Sequence, residues 1–171
     1  GKKPPCRNYD FGIEAMIKIL FVCHGNICRS PMAEFVMKFL VKNAGLENNF
    51  LIESKATSTE EIGNPPHPKT LKKLAQQGIP VFPHKAVQMK KSDAEKYDFI
   101  IGMDNFNLKN IQRILGSNFN KNVFLLLDFT SRPGNIADPW YTGNFDETYE
   151  DVMEGCDGFL KYLTEQGEIY H

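Results

Sequence analysis

The stretch that decides the fold is IKILFVCHGNICRSP, residues 17–31. It begins with an apolar, β-branched run that is typical of a buried strand and that ends at Cys23. An eight-residue loop, 23–30, follows, and Pro31 opens an amphipathic pattern that predicts a helix. Where a strand passes through a tight loop into a helix, free backbone N–H groups converge and the helix dipole favours negative charge. The sequence therefore predicts an anion site on this loop.

Two side chains give this predicted anion site a chemistry. A cysteine that faces converging N–H groups is favoured as the thiolate, which is its nucleophilic form. Arg29 lies six residues after Cys23 and can donate from a planar fork to two oxygens of a phosphate. A nucleophile and a phosphate clamp on one loop indicate phosphoryl transfer through a cysteine. The alternative is a buried cysteine at a strand end with only a packing role.

The composition fits a single enzyme domain. The chain has 171 residues, of which 42% are hydrophobic and 24% charged, as in ordinary globular proteins. A net charge of −1 predicts neither a nucleic-acid nor an anionic-membrane partner, and the apolar runs are too short to span a bilayer. Four cysteines without a paired framework favour a reducing compartment, so we expect a cytoplasmic protein.

Residues 1–15 differ in character from the rest. They are polar, contain Pro4-Pro5, lack periodicity and precede Met16. We interpret them as a remnant of cloning, with Met16 as the natural start; the alternative is a native N-terminal arm. Residues 16–171 are predicted to form a single enzyme domain.

Alternating strand and helix patterns predict the fold class. Apolar runs bounded by turn residues predict strands at 17–23, 50–56, 99–102 and 122–127. Four helical patterns accompany these strands. The first begins at Pro31, the second covers 70–77, the third is capped by Asp104 and runs to Leu115, and the fourth covers 146–164. This order predicts a three-layer α/β fold, with a four-stranded, mostly parallel sheet and helices on both faces. Ligands of such sheets bind beyond the carboxyl ends of the strands, where the Cys23 loop falls.

At Val22 to Pro31 the chain resembles the low-molecular-weight protein tyrosine phosphatases, whose signature V-C-x-G-N-x-C-R-S-P it matches without a gap. The resemblance covers nearly all of 16–164. It implies a phosphotyrosine phosphatase I-like fold and hydrolysis of phosphotyrosine through a cysteinyl-phosphate, without metal or cofactor. It also implies that phosphate is bound by the loop residues His24, Gly25, Asn26, Ile27, Cys28, Arg29 and Ser30.

A second motif, Asp138-Pro139-Trp140-Tyr141, offers a proton donor. Pro139 biases Asp138 towards an extended conformation, which can aim its carboxyl group into a cleft. Alone, Asp-Pro more often marks a turn. The family carries Asp-Pro followed by two aromatic residues, and its aspartate is the general acid. The resemblance therefore implies that Asp138 protonates the leaving group and then activates water, and that Trp140 and Tyr141 border the cleft.

The resemblance assigns supporting roles more loosely. The family holds its phosphate loop with an asparagine, a serine on the second strand and a later histidine, which match Asn26, Ser54 and His84 here. Ser30 matches the hydroxyl that hydrogen-bonds the thiolate of Cys23. The segment before His84 is one residue longer than the usual spacing, and an ordinary strand serine and a surface histidine are the alternatives.

Substrate selection is predicted to involve the loop after the second strand. The family often presents an aromatic residue there, whereas this chain has Glu60. A carboxylate at the rim favours basic or neutral flanks on a peptide over acidic ones. The alternative is a solvated loop charge without a role.

A redox pair is also predicted. An exposed thiolate is the form of cysteine that peroxide oxidises first, and a nearby thiol can trap the resulting sulfenic acid. A loop wrapped around a phosphate brings Cys23 and Cys28 across its small diameter, so we expect a protective disulfide between them. The alternative is a packing role for Cys28.

Other functions remain open. Arsenate reductases of this fold resolve their arseno-cysteine with further cysteines, but only Cys156 follows Cys28 here. Protein-arginine phosphatases of the family carry Thr at the position of Ile27. A non-catalytic phosphate-binding module would need neither Cys23 nor Asp138. We expect a phosphotyrosine protein or a small aryl phosphate as substrate, and inorganic phosphate as product and inhibitor.

Overall fold

The computed structural model describes residues 16–119 and 122–167. Its strands form one sheet in the order β2-β1-β3-β4, and every adjacent pair is parallel. The strands are β1 (Ile17–Cys23), β2 (Phe50–Ala56), β3 (Phe99–Gly102) and β4 (Val123–Leu125). Residues 1–15 lie outside the described residues, so their interpretation stays a prediction.

Six α-helices connect and cover the described strands. They are α1 (Arg29–Asn43), α2 (Pro68–Gln76), α3 (Asp93–Lys96), α4 (Asn105–Leu115), α5 (Pro139–Thr142) and α6 (Phe145–Gly167). Short 3-10 turns lie at Glu47–Asn49, Gly116–Asn118 and Leu126–Phe129. Within residues 16–119 and 122–167, none of the helices combines the length and apolar character that crossing a membrane requires.

Alternate side chains of β1 point into two cores on opposite faces of the sheet. Phe21 and its same-face neighbours pack under α1 and α6, in the larger core. Leu20 and Val22 pack on the other face against Ile111 and Leu115 of α4. Strands buried on both faces read as continuous apolar runs, as β1 does. The predicted three-layer α/β architecture is confirmed.

Several element boundaries differ from the sequence expectation. Helix α1 begins at Arg29, two residues before Pro31, and α2 begins at Pro68 because the ring of His67 accepts a hydrogen bond from the N–H of Lys69 (3.0 Å). Strand β4 ends at Leu125, whose N–H donates to the carboxylate of Asp128 (2.9 Å) as the chain turns. Helices α3 and α5 have four residues each, which is too short for a periodic pattern to reveal.

The close packing of α6 on the turn after β4 predicts an unusual glycine effect. A Cβ at Gly158 would overlap the carbonyl oxygen of Phe129. Gly→Ala in an exposed helix stabilises by about 1 kcal/mol. We expect Gly158→Ala instead to lower the free energy of unfolding by about 1–3 kcal/mol, because a backbone must shift. Urea denaturation measures this, with Glu150→Ala on the same helix as a control that changes it by less than about 0.5 kcal/mol. A more stable Gly158→Ala would contradict the packing.

Candidate active site

The loop predicted to bind an anion starts at the carboxyl end of the central strand. Cys23 is the last residue of β1 and is 3% exposed, and α1 begins six residues later. Two backbone N–H groups point at its Sγ, those of Asn26 (3.3 Å) and Ser30 (3.4 Å). The hydroxyl of Ser30 lies 3.1 Å from the same sulfur. Three polar groups therefore surround the sulfur and stabilise negative charge on it.

The conformation of the loop depends on Asn26. Among the described non-glycine residues it alone has a positive φ, 60°, a conformation that asparagine tolerates better than most residues. Its Nδ2 donates to Ser30 Oγ (2.8 Å) and Ser54 Oγ (2.9 Å). Its Oδ1 accepts from the N–H of Val87 (3.2 Å) and from His84 Nε2 (3.0 Å). This fully buried amide thus makes four hydrogen bonds, the most that it can make.

The structure therefore brings Ser54 and His84 into hydrogen-bond contact with Asn26, the loop residue with which the family resemblance groups them. The extra residue before His84 does not displace it, because residues 80–83 are all exposed and absorb the added length outside the core. The ring of Phe82 nevertheless packs against Phe35 of α1, with centroids 6.0 Å apart. That contact anchors the longer segment just before His84.

Arg29 lies in a cage of oxygen atoms. It is 2% exposed, and its Nη1 donates to Asp104 Oδ2 (2.6 Å) and to the carbonyl of Ile136 (2.9 Å), while Nη2 donates to Asp138 Oδ2 (3.3 Å). Burial works against its charge, but the negative charges of Cys23, Asp104 and Asp138 outweigh it and hold the pKa of Arg29 above its ordinary value. The guanidinium is a fixed cation beside the sulfur of Cys23.

Asp138 caps the short helix α5. It has φ −78° and ψ 115°, the extended conformation expected before proline, and its Oδ1 accepts from the N–H of Trp140 (3.0 Å). Its Oδ2 faces Arg29. One oxygen thus fixes the carboxyl group to the backbone while the other is directed into the site.

These groups enclose one cavity of about 100 Å³. It is lined by residues of the loop, by Trp140 and Tyr141 after Asp138, and by Glu60 and Glu61 of the segment after β2. Trp140 is 59% exposed and Tyr141 83% exposed, so both stand at the mouth. The lining residues are Cys23, His24, Gly25, Ile27, Cys28, Arg29, Glu60, Glu61, Asp138, Trp140 and Tyr141.

The model of the family described as low molecular weight phosphotyrosine protein phosphatase matches residues 18–169. The chain belongs to this family. It is similar to the low molecular weight protein-tyrosine-phosphatase YfkJ of Bacillus subtilis, at 36% identity over 90% of this chain and 100% of that protein. The crystal structure of YfkJ superposes with a TM-score of 0.87, covering 90% of this chain and 98% of YfkJ.

Two further structures show how widely the fold is shared. SP-PTP, a low molecular weight protein tyrosine phosphatase from Streptococcus pyogenes, is 42% identical, with a TM-score of 0.79 over 86% of this chain and 93% of its own. DARP, a Drosophila arginine phosphatase, is 29% identical, with a TM-score of 0.78 over 85% and 97%. The predicted family is confirmed, and the chain is a protein-tyrosine phosphatase with the phosphoprotein substrates that this family implies.

Sequence reasoning missed two carboxylates of this phosphatase. Asp104 was predicted only as a helix cap, and its Oδ1 does accept from the N–H of Asn107 (2.7 Å), but its Oδ2 holds Arg29. Glu34 of α1 is buried and accepts from Ser54 Oγ (2.6 Å) and Lys38 Nζ (2.6 Å). The available signals were the position of Asp104 directly after β3 and the position of Glu34 within an apolar helix face.

His67 is a third residue that the sequence did not single out. Its backbone N–H donates to the carbonyl of Ile27 in the loop (2.8 Å). Its ring lies edge-on to Trp140, with centroids 6.0 Å apart, and contacts Phe145 at 5.1 Å. One histidine thus joins the loop that follows Cys23 to the aromatic side chains of Trp140 and Phe145.

The two other cysteines among the described residues of the phosphatase differ in position. Cys28 lines the cavity; burial and the negative charge of Cys23 raise its pKa to about 12. Cys156 is fully buried in the larger core, where its Sγ lies 3.7 Å from the carbonyl of Ala33, and burial raises its pKa. Cys28 is therefore a neutral thiol next to Cys23, and Cys156 is a core side chain.

Proposed function

We propose that this phosphatase hydrolyses phosphotyrosine through a cysteinyl-phosphate, with Cys23 as nucleophile, Arg29 as phosphate clamp and Asp138 as general acid and base. The observation that carries the proposal is the convergence of these three side chains on one cavity of about 100 Å³. A buried thiol with a packing role requires neither a fixed cation nor a carboxyl group directed at it.

In the first step the phosphate occupies the loop 24–30, and its oxygens accept hydrogen bonds from the backbone N–H groups and from Arg29. The thiolate of Cys23 attacks phosphorus, the bond to the tyrosyl oxygen breaks, and protonated Asp138 gives its proton to that oxygen. The fixed cation and N–H dipoles stabilise the charge on the phosphoryl oxygens as it redistributes. The products of this step are the dephosphorylated tyrosyl side chain of the substrate and a phosphoryl group covalently bound to Cys23.

In the second step water attacks the same phosphorus from the side that the tyrosine has left. Ionised Asp138 takes a proton from that water, and the bond between phosphorus and Cys23 Sγ breaks. The hydroxyl of Ser30, 3.1 Å from Sγ, stabilises the departing thiolate. Inorganic phosphate leaves, so it competes with substrate for the free loop.

The planar fork of Arg29 predicts that charge alone cannot replace it. Arg29→Lys keeps a cation but loses the second nitrogen and the geometry that lets Nη1 bind Asp104 while Nη2 donates to Asp138. We expect kcat/KM for phenyl phosphate to fall about 10²–10³-fold. Steady-state kinetics measure this, with exposed Arg113→Lys as the matched control. Activity within a few-fold of the parent would show that the clamp is elsewhere.

We also infer that Cys28 protects Cys23 against over-oxidation. Peroxide converts the thiolate of Cys23 to a sulfenic acid; Cys28 then attacks that sulfur, water leaves, and a disulfide forms. Because the reactive form of Cys28 is its thiolate and burial holds its pKa above its ordinary value, disulfide formation should speed up as pH rises through the neutral range.

The expected result is recovery of activity in the parent when a dithiol follows mild peroxide, and no recovery in Cys28→Ser, whose Cys23 proceeds to the sulfinic acid. Mass spectrometry should find a Cys23–Cys28 peptide, in a yield that increases from pH 6 to pH 8. Full recovery of Cys28→Ser would leave Cys28 with a packing role only.

Two alternatives of the same fold are distinguishable. The similarity to a Drosophila arginine phosphatase raises phosphoarginine as a second substrate, but Ile27 lines the cavity where arginine phosphatases carry Thr. An arsenate-reducing relay needs a further mobile thiol, whereas Cys156 is held in the core. Comparing kcat/KM on matched phosphotyrosine and phosphoarginine peptides tests whether phosphotyrosine is the preferred substrate. A preference for phosphoarginine would overturn that assignment.

A further inference from the structure

His24, the residue after the nucleophile, does not point into the phosphate loop. Its Nε2 lies 2.7 Å from Glu60 Oε2, so a residue of the loop is joined to a residue of the segment after β2. Both side chains line the cavity, and Glu60 is 68% exposed. The hydrogen bond fixes Glu60 at one oxygen, and Oε1 accepts no hydrogen bond within the described residues. A held carboxylate with a free oxygen therefore faces the solvent side of the mouth.

An apolar surface adjoins this carboxylate. Phe106, in the first turn of α4, is 62% exposed, and its ring centroid lies 6.5 Å from that of His24. A large exposed aromatic side chain beside a ligand cavity is typical of a contact surface. The rim around His24 thus combines a fixed negative charge with an aromatic face.

The distribution of charge along the cavity affects which substrates can approach it. Arg29 is the one lysine or arginine among the described residues that line it, and it is buried at the bottom, whereas Glu60 and Glu61 stand at the entrance. Two carboxylates at the entrance repel a phosphate dianion that approaches without a compensating cation. A substrate that carries a cation next to its phosphate is instead attracted at the entrance, because that cation interacts favourably with the two carboxylates.

We propose that His24, Glu60 and Phe106 form a subsite for a lysine or arginine next to the phosphotyrosine of a protein substrate; this rests on the function proposed above. The phosphotyrosine ring fills the cavity, and the chain leaves it at the mouth, where Glu60 lies. The aliphatic stem of the neighbouring residue packs on Phe106 and its charged head pairs with Glu60. His24 is a positioning residue that acts through Glu60.

The test uses three phosphotyrosine peptides that differ only in the residue beside phosphotyrosine: arginine, glutamine or glutamate. Each kcat/KM is divided by that of phenyl phosphate on the same enzyme, which removes effects on the chemical steps. We expect arginine to exceed glutamate about three- to tenfold at low salt. At about 1 M salt, where the screening length is about 3 Å, the preference should shrink towards one.

Variants separate the subsite from general charge effects. Glu60→Gln should remove most of the arginine preference. His24→Leu should weaken it, and after division by the phenyl phosphate values of the same variant the change should lie in KM of the arginine peptide rather than in kcat. Glu47→Gln removes an exposed carboxylate at the opposite, amino end of β2 and should keep the preference.

Equal normalised values for the three peptides, a preference that salt does not change, or a preference that survives Glu60→Gln would each overturn the subsite. Failure of the proposed function looks different: Cys23→Ser would then still hydrolyse phenyl phosphate. The two outcomes are read from different substrates, so one cannot be mistaken for the other.

Discussion

Cys23→Ser is expected to abolish hydrolysis of phenyl phosphate and phosphotyrosine while phosphate and vanadate still bind. The serine hydroxyl stays protonated under the same N–H groups that stabilise a thiolate, so the loop keeps its anion site but lacks a nucleophile. Loop geometry should persist because the four hydrogen bonds of the Asn26 side-chain amide do not involve Cys23 Sγ. Steady-state kinetics and calorimetric titration with phosphate measure the two properties separately.

The matched control for this variant is Cys156→Ala, which removes a thiol from the core and leaves the cavity untouched. It should retain turnover. Activity in Cys23→Ser within about tenfold of the parent, where loss of a nucleophile should cost several orders of magnitude, would exclude a covalent intermediate on Cys23. Loss of phosphate binding together with activity would indicate a collapsed loop rather than a missing nucleophile.

Asp138→Asn is expected to lower kcat/KM for phenyl phosphate about 10²–10⁴-fold, because its leaving group needs a proton. The loss should be much smaller for 2,4-dinitrophenyl phosphate, whose leaving group departs as the anion. Asparagine keeps the oxygen that accepts from the N–H of Trp140, so α5 should stay capped. The pH profile should also lose the limb that reports the acid.

Asp146→Asn serves as the control, since Asp146 is 77% exposed in the first turn of α6 and pairs with Lys73 at the surface. Equal losses on the two aryl phosphates would remove Asp138 from proton transfer. A loss confined to KM would assign it to substrate binding instead.

Local sequence patterns predicted the elements that local physics controls. The apolar run of β1, the turn residues after Cys23 and the presence of a helix directly after them follow from propensity and burial over about a dozen neighbouring residues, whereas the first residue of α1 does not. The same patterns place the loop at the carboxyl edge of a parallel sheet, because successive strands of such a sheet run in one direction.

Local sequence patterns could not predict contacts between segments that are distant in the sequence. Arg29 and Asp104 are 75 residues apart, and they meet only because β1 and β3 are neighbours in the sheet. The strand order alone does not determine which acidic residue after β3 directs its side chain towards Arg29. The site residues that were named in advance at comparable separations, Ser54 and His84, came from the family resemblance and not from periodicity.

The backbone of Asn26 has a consequence for the energetics of ligand binding. Its left-handed conformation is held by four hydrogen bonds to groups of the protein itself, none of which a phosphate would need to make or replace. The loop is therefore preorganised, and an arriving anion loses little affinity to the entropy of ordering it. A loop that cannot relax also cannot adapt, so we expect it to distinguish anions by their radius and shape: tetrahedral oxyanions of phosphate size should bind, whereas planar anions of equal charge would leave N–H donors unpaired.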